Sequence, residues 1–383
     1  MLRYIRIEKQ KGNNMARQGT EIKKSNSREK PDEAERFTDR VESRKALKKI
    51  LNQFVYDYEN KINNPYHLSF IGDGGVGKTA LLKELIREVY RWNPDYDDVF
   101  APVYYDLEKG TNIVHILASL RGQIFMHEPG AQFPNFDSAL KRYIELENDI
   151  ELANIKTHTT KEDYSVKAPR EIELLMNMFT DIPGIKEINT VYRQIGNISE
   201  LISLFLKKDD ELREKFKEKS SGFIRDNIAK YFLDDLKVEL RNKCIVFFID
   251  TFEVLSTGAI GYSQRKGNST EEVKLSCWFK EELALFGHDT ISVFAGREPI
   301  FNDVNEYELK GLIQDDCESY LKRIAKLQTE TKSGKKTADI VYQISDGIPL
   351  YLELCGDIIR DEKWKDEEYL SIDRNELVQR LER

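Results

Sequence analysis

The segment that decides the fold spans residues 66–79 and reads YHLSFIGDGGVGKT. Its first six residues are mostly apolar and predict a short buried strand. Its last eight residues match the pattern G-x-x-x-x-G-K-[ST] without a mismatch. The periodic stretch ALLKELIREVYRW that follows predicts a helix. This order of strand, glycine-rich turn and helix predicts a loop that binds phosphate groups.

Each residue type in this loop suits phosphate binding for a chemical reason. Glycines allow the backbone to turn tightly, so that several N–H groups point inward, and the helix N-terminus adds partial positive charge. We expect Lys78 to lie near the β- and γ-phosphates and Thr79 to offer its hydroxyl to Mg²⁺. The residues predicted to bind nucleotide here are Gly72, Asp73, Gly74, Gly75, Val76, Gly77, Lys78, Thr79 and Ala80.

A site for Mg²⁺ and a nucleoside triphosphate also needs a carboxylate at the end of a neighbouring strand. Asp250 follows five apolar residues, 245–249, and is the predicted metal ligand together with Thr79. The alternative is an aspartate that only ends the strand. Glu253 is the predicted base that activates or orients water, with Asp106 as a weaker acidic candidate.

Arg297 follows the apolar run ISVFAG at residues 291–296. A cation at the tip of a strand beside the phosphate loop is able to contact the γ-phosphate. The predicted catalytic set is therefore Lys78, Asp250, Glu253 and Arg297. The alternative for Arg297 is a surface residue paired with Glu298.

The remaining patterns predict an α/β protein with a parallel sheet between helical layers. Further strands are predicted at 99–106, 244–250, 291–296 and 307–309, and Pro102 favours an edge position for the first of these. Residues 130–240 show helical signals and predict an inserted helical segment. Residues 1–30 contain nine Lys or Arg and three Glu, a net charge of +6. This tail is either disordered or an arm that contacts nucleic acid or anionic lipid.

The composition of the chain excludes several classes of protein. The chain has 383 residues, a net charge of −8 and 40% hydrophobic residues, which is enough for a folded core. No window has the ~18 uninterrupted apolar residues of a membrane span, and the N-terminus lacks a signal-peptide core. The four cysteines form no C-x-x-C, and the five histidines form no H-E-x-x-H. A cytoplasmic protein without a zinc site, disulfide scaffold or membrane association is expected.

Five motifs together resemble the STAND class of signal-transduction ATPases, relatives of NB-ARC and NACHT proteins in the AAA-like lineage, in their bacterial form. The resemblance covers about residues 36–358. Besides the phosphate loop, the motifs are FTDRVESRKAL at 37–47, DTFE at 250–253, AGRE at 295–298 and ISDGIPLYL at 344–352. It implies that Arg40 lies near the nucleotide and that Arg297 is a sensor arginine. It also implies that Pro349, with Gly347 beside it, packs against adenine.

The resemblance also implies an architecture. It predicts a three-layer P-loop NTPase core with strand order 5-1-4-3-2 and a C-terminal helical lid. The expected boundaries are a basic tail at 1–35, an ATPase core at 36–310 and a lid at 311–383.

The activity implied is that of a Mg²⁺-dependent switch that binds ATP or ADP, hydrolyses ATP slowly and serves signalling or defence. Homo-oligomers are implied as well. No winged-helix segment, sensor repeat or effector is recognisable, so the sensor or effector is expected to be a partner or to lie outside this chain. One alternative is a DNA-associated ATPase of the origin-recognition or loader type, which the basic tail favours and the isoelectric point near 5.5 disfavours. Another is a nucleotide-binding scaffold that does not hydrolyse ATP. Nucleic-acid binding stays open.

Overall fold

The computed structural model describes residues 40–96, 98–149, 205, 210–239, 243–255, 270–287, 289–328 and 332–360. The predicted basic tail, most of the middle of the predicted insertion (130–240) and the end of the predicted lid lie outside the described residues. Within the part that is described, no helix has the length and apolar character required to cross a membrane.

The centre of the molecule is a five-stranded sheet in which every strand pair is parallel. Its strands are β1 (Tyr66–Ile71), β2 (Phe100–Asp106), β3 (Cys244–Asp250), β4 (Thr290–Gly296) and β5 (Glu306–Glu308). Their spatial order is β2-β3-β4-β1-β5, which read from the opposite edge is the predicted 5-1-4-3-2. β2, which contains Pro102, is an edge strand as predicted.

Helices cover both faces of the sheet and form the C-terminal part of the described chain. The described α-helices are α1 (Val41–Glu59), α2 (Lys78–Trp92), α3 (Ile113–His127), α4 (Pro134–Asn148), α5 (Asp210–Lys217), α6 (Ser221–Glu239), α7 (Thr270–Cys277), α8 (Gln314–Ile324), α9 (Lys332–Ser345) and α10 (Pro349–Arg360). The described parts of the predicted insertion, α4 to α6, are helical as expected.

Each strand contributes side chains to the apolar layers on both faces of the sheet, because successive side chains along a strand point to opposite faces. In β3, Ile245, Phe247 and Ile249 belong to one apolar cluster, which includes residues of α3, α4 and α6. Cys244, Val246 and Phe248 belong to the other, which includes residues of α1 and α2. Every residue of β3 is buried, as expected for a strand covered on both faces.

Side chains occupy the free edge of β2 where a further strand would otherwise pair. Asn93 exchanges two hydrogen bonds with the backbone of Phe100, at 2.8 and 3.0 Å. Gln123 does the same with the backbone of Tyr104, at 2.8 Å for both bonds. Nε2 of His127 lies 2.9 Å from the carbonyl oxygen of Pro102. The polar backbone of this edge is therefore satisfied without a neighbouring strand.

Helices α8, α9 and α10 surround a third apolar cluster, which includes Leu312, Tyr320, Val341 and Leu352. We call residues 312–360 the C-terminal helical unit. The segment 309–312 connects β5 to this unit and passes directly beside the turn between α9 and α10, where Leu312 N–H donates to the carbonyl of Gly347 at 2.7 Å. The predicted domain boundaries at 36, 310 and 311 stay predictions.

Candidate nucleotide-binding site

The phosphate loop leads from the end of β1 directly into α2. Gly75 and Gly77 have φ angles of 79° and 95°, which lie in the left-handed region that glycine adopts without strain. Gly77 is the N-cap of α2, and its carbonyl accepts a hydrogen bond from Leu81 N–H at 2.9 Å. The positive end of the helix dipole therefore faces the loop, as anion binding requires.

Lys78 is the first residue of this helix, and its ammonium group folds back over the loop. Its Nζ donates to the carbonyl oxygens of Gly72 at 2.6 Å and Asp73 at 2.9 Å. Burial lowers the pKa of Lys78, while nearby Glu253 opposes this change. Gly72 and Asp73 are not among the residues that line the cavity described below, and they contact this lysine through their carbonyl oxygens.

A cavity of about 460 Å³ lies between the sheet and the C-terminal helical unit. This volume is in the usual range for small-molecule sites. Apart from Gly72 and Asp73, every residue predicted to bind nucleotide or act in catalysis lines it: Arg40, Gly74, Gly75, Val76, Gly77, Lys78, Thr79, Ala80, Asp250, Glu253, Arg297 and Pro349. The fold is thus of the predicted α/β class, with a parallel sheet between helices and a glycine-rich loop that leads from β1 into α2.

Asp250 ends β3 and is almost completely buried, at 1% exposure. Its Oδ2 accepts a hydrogen bond from the hydroxyl of Tyr104 at 2.9 Å, and its Oδ1 accepts one from Thr251 N–H at 2.8 Å. Burial raises the pKa of Asp250, and hydrogen bonds from Thr79, Tyr104 and the Thr251 backbone oppose that rise. The predicted pair of metal ligands, Thr79 and Asp250, is thus in direct contact.

A hydroxyl beside a buried carboxylate is a suitable oxygen donor set for Mg²⁺, which often takes one or two protein ligands plus water and phosphate oxygens. Among the described residues, no group of three or more His, Cys, Asp or Glu side chains is arranged to hold a metal ion. Thr79 and Asp250 fit a site in which phosphate oxygens and water would complete the coordination of Mg²⁺.

Glu253 and Arg297 form an ion pair inside the cavity. Arg297 Nε donates to Glu253 Oε1 at 3.0 Å, and the carboxylate is buried. The guanidinium also lies against the phosphate loop, because a Cβ placed on Gly74 would be 3.5 Å from Arg297 Nη2. Arg297 is thus paired with Glu253, and the pair joins the candidate base to the candidate sensor.

Asp106 does not line the cavity but supports the residue that follows Asp250. The hydroxyl of Thr251 donates to Asp106 Oδ1 at 2.7 Å. Thr251 has a φ of 57°, a conformation that is unfavourable for a β-branched residue and is found disproportionately at functional sites. The weaker acidic candidate therefore stabilises a strained turn at the end of β3.

Arg40 connects the phosphate loop with the segment that leads to the C-terminal helical unit. Its Nη2 donates to the carbonyl of Val76 at 2.9 Å, and its Nη1 donates to the carbonyl of Lys310 at 2.7 Å. Burial lowers the pKa of Arg40, and Asp316 on α8 opposes the change.

The N-terminus of α10 packs on the phosphate loop. Leu350 N–H donates to the carbonyl of Gly75 at 3.3 Å. A Cβ placed on Gly77 would lie 3.6 Å from Cγ of Pro349, and one on Gly75 would lie 2.9 Å from Cβ of Leu350. The helical unit thus closes the cavity opposite the sheet, with Pro349 against the loop.

Several cavity residues were not predicted from the sequence. Lys83 and Arg87 follow Thr79 at intervals of four, a helical spacing that was a usable signal. Glu108 and Thr251 follow the ends of β2 and β3. The others, Leu312, Tyr320, Leu350 and Glu353, come from the helical unit, and only the fold brings them to the site.

Solved structures that resemble this chain include a Walker-type ATPase of Pyrococcus abyssi, with 14% identity, 90% of this chain and 71% of that chain covered, and a TM-score of 0.39. Drosophila ORC bound to DNA has 10% identity, coverage of 99% and 72%, and a TM-score of 0.42. Cdc6p from Pyrobaculum aerophilum has 11% identity, coverage of 86% and 64%, and a TM-score of 0.37. No protein-family model and no curated protein matches the sequence.

Proposed function

We propose that the chain is an ATP-binding and slowly hydrolysing molecular switch of the STAND type, with roles in signalling or defence. The observation that carries this proposal is the cavity itself, which the phosphate loop and the carboxyl ends of β3 and β4 line on one side and the helical unit lines on the other. A ligand changes the balance between two arrangements only through contacts that differ between them. A nucleotide in this cavity contacts both parts of the molecule and is therefore able to change how they pack.

The residues have separate roles in this proposal. Backbone N–H groups of the loop and Lys78 bind the phosphates, and Pro349 packs against the adenine. Thr79 and Asp250 hold Mg²⁺, which neutralises charge on the phosphate oxygens. Arg297 contacts the γ-phosphate when ATP is bound, and Glu253 positions or deprotonates the attacking water. The Arg297–Glu253 ion pair supports a link between the presence of the γ-phosphate and the state of the base.

Two substitutions test this function. We expect Lys78→Ala to abolish nucleotide binding in calorimetry and to leave thermal unfolding nearly unchanged. We expect Glu253→Gln to retain ATP binding and to lower phosphate release by roughly a hundredfold, which is the usual size of a general-base contribution. Glu298→Gln is the matched control, since Glu298 is exposed and adjacent to Arg297. Unchanged binding by Lys78→Ala would contradict the switch. Unchanged phosphate release by Glu253→Gln would contradict the assignment of Glu253 as the base, and a wild type that binds ATP without releasing phosphate would favour the non-hydrolysing scaffold.

A second candidate function is a DNA-associated ATPase of the origin-recognition or loader type. The observation in its favour is a basic surface on α1 formed by Lys45, Lys48 and Lys49, with the amides of Asn52 and Gln53 beside them. Lysine and amide side chains are common contacts of the DNA backbone. The charge of this surface is opposite in sign to the net charge of the chain, which is −8.

This candidate predicts salt-dependent DNA binding. We expect Lys48→Glu with Lys49→Glu to weaken filter binding and to reduce the slope of log K against log salt by about 2, since each lost phosphate contact changes it by roughly 0.9. Deletion of residues 1–36 should weaken binding further. Lys230→Glu with Lys237→Glu on α6 is the control for net charge. No affinity of the wild type for DNA at low salt would exclude this candidate.

A further inference from the structure

The side chain that contacts Asp250 from the neighbouring strand is Tyr104. Its hydroxyl donates to Asp250 Oδ2 at 2.9 Å, and it is itself 4% exposed. In the parallel register of β2 and β3, Tyr104 pairs with Phe248. The long phenol side chain therefore reaches two residues ahead of its own register partner to meet the carboxylate.

The backbone of Tyr104 is held in place from the outer side of the sheet. Gln123 on α3 exchanges two hydrogen bonds of 2.8 Å with its N–H and carbonyl groups. β3 lies on the inner side of β2. Tyr104 therefore lies in a strand that is held by Gln123 on one edge and paired with β3 on the other, and its ring extends from this strand to Asp250.

The groups that contact Asp250 divide into two kinds. Thr79 is a proposed Mg²⁺ ligand, so its hydrogen bond with Asp250 belongs to the metal site itself. Tyr104 and the N–H of Thr251 are not proposed ligands. They are therefore able to orient the carboxylate both with and without the ion. A carboxylate oxygen has room to accept more than one hydrogen bond, so capacity remains for the metal or its water.

From this geometry we propose that Tyr104 is a positioning residue that orients Asp250 toward Mg²⁺. The proposal rests on the nucleotide-binding function proposed above and adds a specific prediction about the metal. Outer contacts of this kind commonly change metal affinity by about tenfold or more when they are removed. Tyr104 should therefore affect the contribution of Mg²⁺ to nucleotide binding and have no effect on nucleotide binding in the absence of the ion.

The test compares ATP affinity in Mg²⁺ and in EDTA by calorimetry for the wild type and two variants. Tyr104→Phe removes only the hydroxyl that contacts Asp250. Tyr105→Phe is the matched control, because Tyr105 is the next residue of β2 and its hydroxyl donates to the carbonyl of Gly110 at 3.3 Å instead. Thermal unfolding of each protein monitors the fold.

In EDTA we expect Tyr104→Phe to bind ATP with the affinity of the wild type. In Mg²⁺ we expect the increase in ATP affinity that the ion causes to be about tenfold smaller than in the wild type. The Mg²⁺ concentration for half-maximal binding should rise by a similar factor, and Tyr105→Phe should show neither change. An unaltered Mg²⁺ gain, or an equal loss with and without Mg²⁺, would overturn the positioning role. A wild-type chain that binds ATP in neither condition would instead contradict the proposed function, and the role of Tyr104 with it.

Discussion

At the scale of single residues, the charged side chains of the candidate site are held by hydrogen bonds. Arg297 donates to Glu253 at 3.0 Å, and Lys78 donates to loop carbonyls at 2.6 and 2.9 Å. These contacts hold the cationic side chains beside the loop, where a phosphate needs them. Arginine forms directional hydrogen bonds to phosphate oxygens, so Arg297 is suited to distinguish a triphosphate from a diphosphate.

The prediction at this scale concerns Arg297. We expect Arg297→Ala to spare ADP affinity and to weaken ATP affinity by about tenfold or more, because a hydrogen bond to a charged group contributes about 1.5–3 kcal/mol. Parallel calorimetric titrations with ADP and a non-cleavable ATP analogue measure the difference. Arg225→Ala on the exposed surface of α6 is the control for lost charge. Equal losses for both nucleotides would show that Arg297 does not contact the γ-phosphate.

At the scale of elements, β2 shows how side chains can satisfy the backbone hydrogen bonds at the free edge of a strand. Its proline predicted an edge position, and the topology confirms it. The sequence did not predict that Asn93, Gln123 and His127 form hydrogen bonds with the backbone of that edge. A sequence does not distinguish a buried polar side chain from one on the surface. Each pair of hydrogen bonds protects backbone groups that would be costly to bury unsatisfied.

The prediction at this scale is a dependence of stability on pH. Burial lowers the pKa of His127 to about 4 from its usual 6.5, although its hydrogen bond to Pro102 opposes the shift. Between these values the unfolded chain binds a proton at His127 that the folded chain does not, so the free energy of unfolding falls as the pH falls through this window. We expect a loss on the order of 2 kcal/mol, which allows for the partial exposure of the ring.

Chemical denaturation of the wild type and His127→Gln at several pH values measures this effect. Glutamine retains an N–H donor for the carbonyl of Pro102 and does not titrate, so the difference between the two proteins isolates the histidine. The stability of the wild type relative to the variant should decline from about pH 6.5 to about pH 4. A constant difference across this range would refute the assignment.

At the scale of the whole molecule, the position of the helical unit depends on a close crossing of two backbone segments. A Cβ placed on Gly347 would lie 2.1 Å from the carbonyl oxygen of Leu312, and the φ of Gly347 is 69°. Arg40 and Leu350 add hydrogen bonds from outside and inside the unit to Val76 and Gly75 of the phosphate loop. Movement of the unit would therefore change contacts made by the loop itself.

The prediction at this scale is that Gly347→Ala displaces the helical unit, because the new methyl group would overlap with the backbone of the connecting segment. In addition, the positive φ of residue 347 costs alanine on the order of 1 kcal/mol. We expect faster limited proteolysis near residues 309–312. We also expect about tenfold weaker ATP binding, because only those molecules in which the helical unit packs on the phosphate loop would bind ATP. Gly222→Ala is the control, since a Cβ there meets nothing within 4 Å. Wild-type proteolysis and affinity in Gly347→Ala would exclude this coupling.

The phosphate loop, the buried strands and the parallel α/β class could all be predicted from the sequence. These features depend on interactions between near neighbours: the glycines and helix N-terminus of residues 72–79, and apolar runs such as 244–250. It also predicted the carboxyl ends of β3 and β4 as places for Asp250, Glu253 and Arg297, since the ends of parallel strands meet at one edge.

The side chains that support those residues could not be predicted, because they are brought together by the folding of distant segments. Tyr104 and Asp250 are 146 positions apart, and Arg40 and Lys310 are 270 apart. Such contacts depend on strand register, helix packing and the path of the connecting segments, and none of these leaves a local pattern in the chain. The same reason explains why Leu312, Tyr320 and Glu353 were not predicted, because their place in the cavity follows from how the helical unit packs on the sheet.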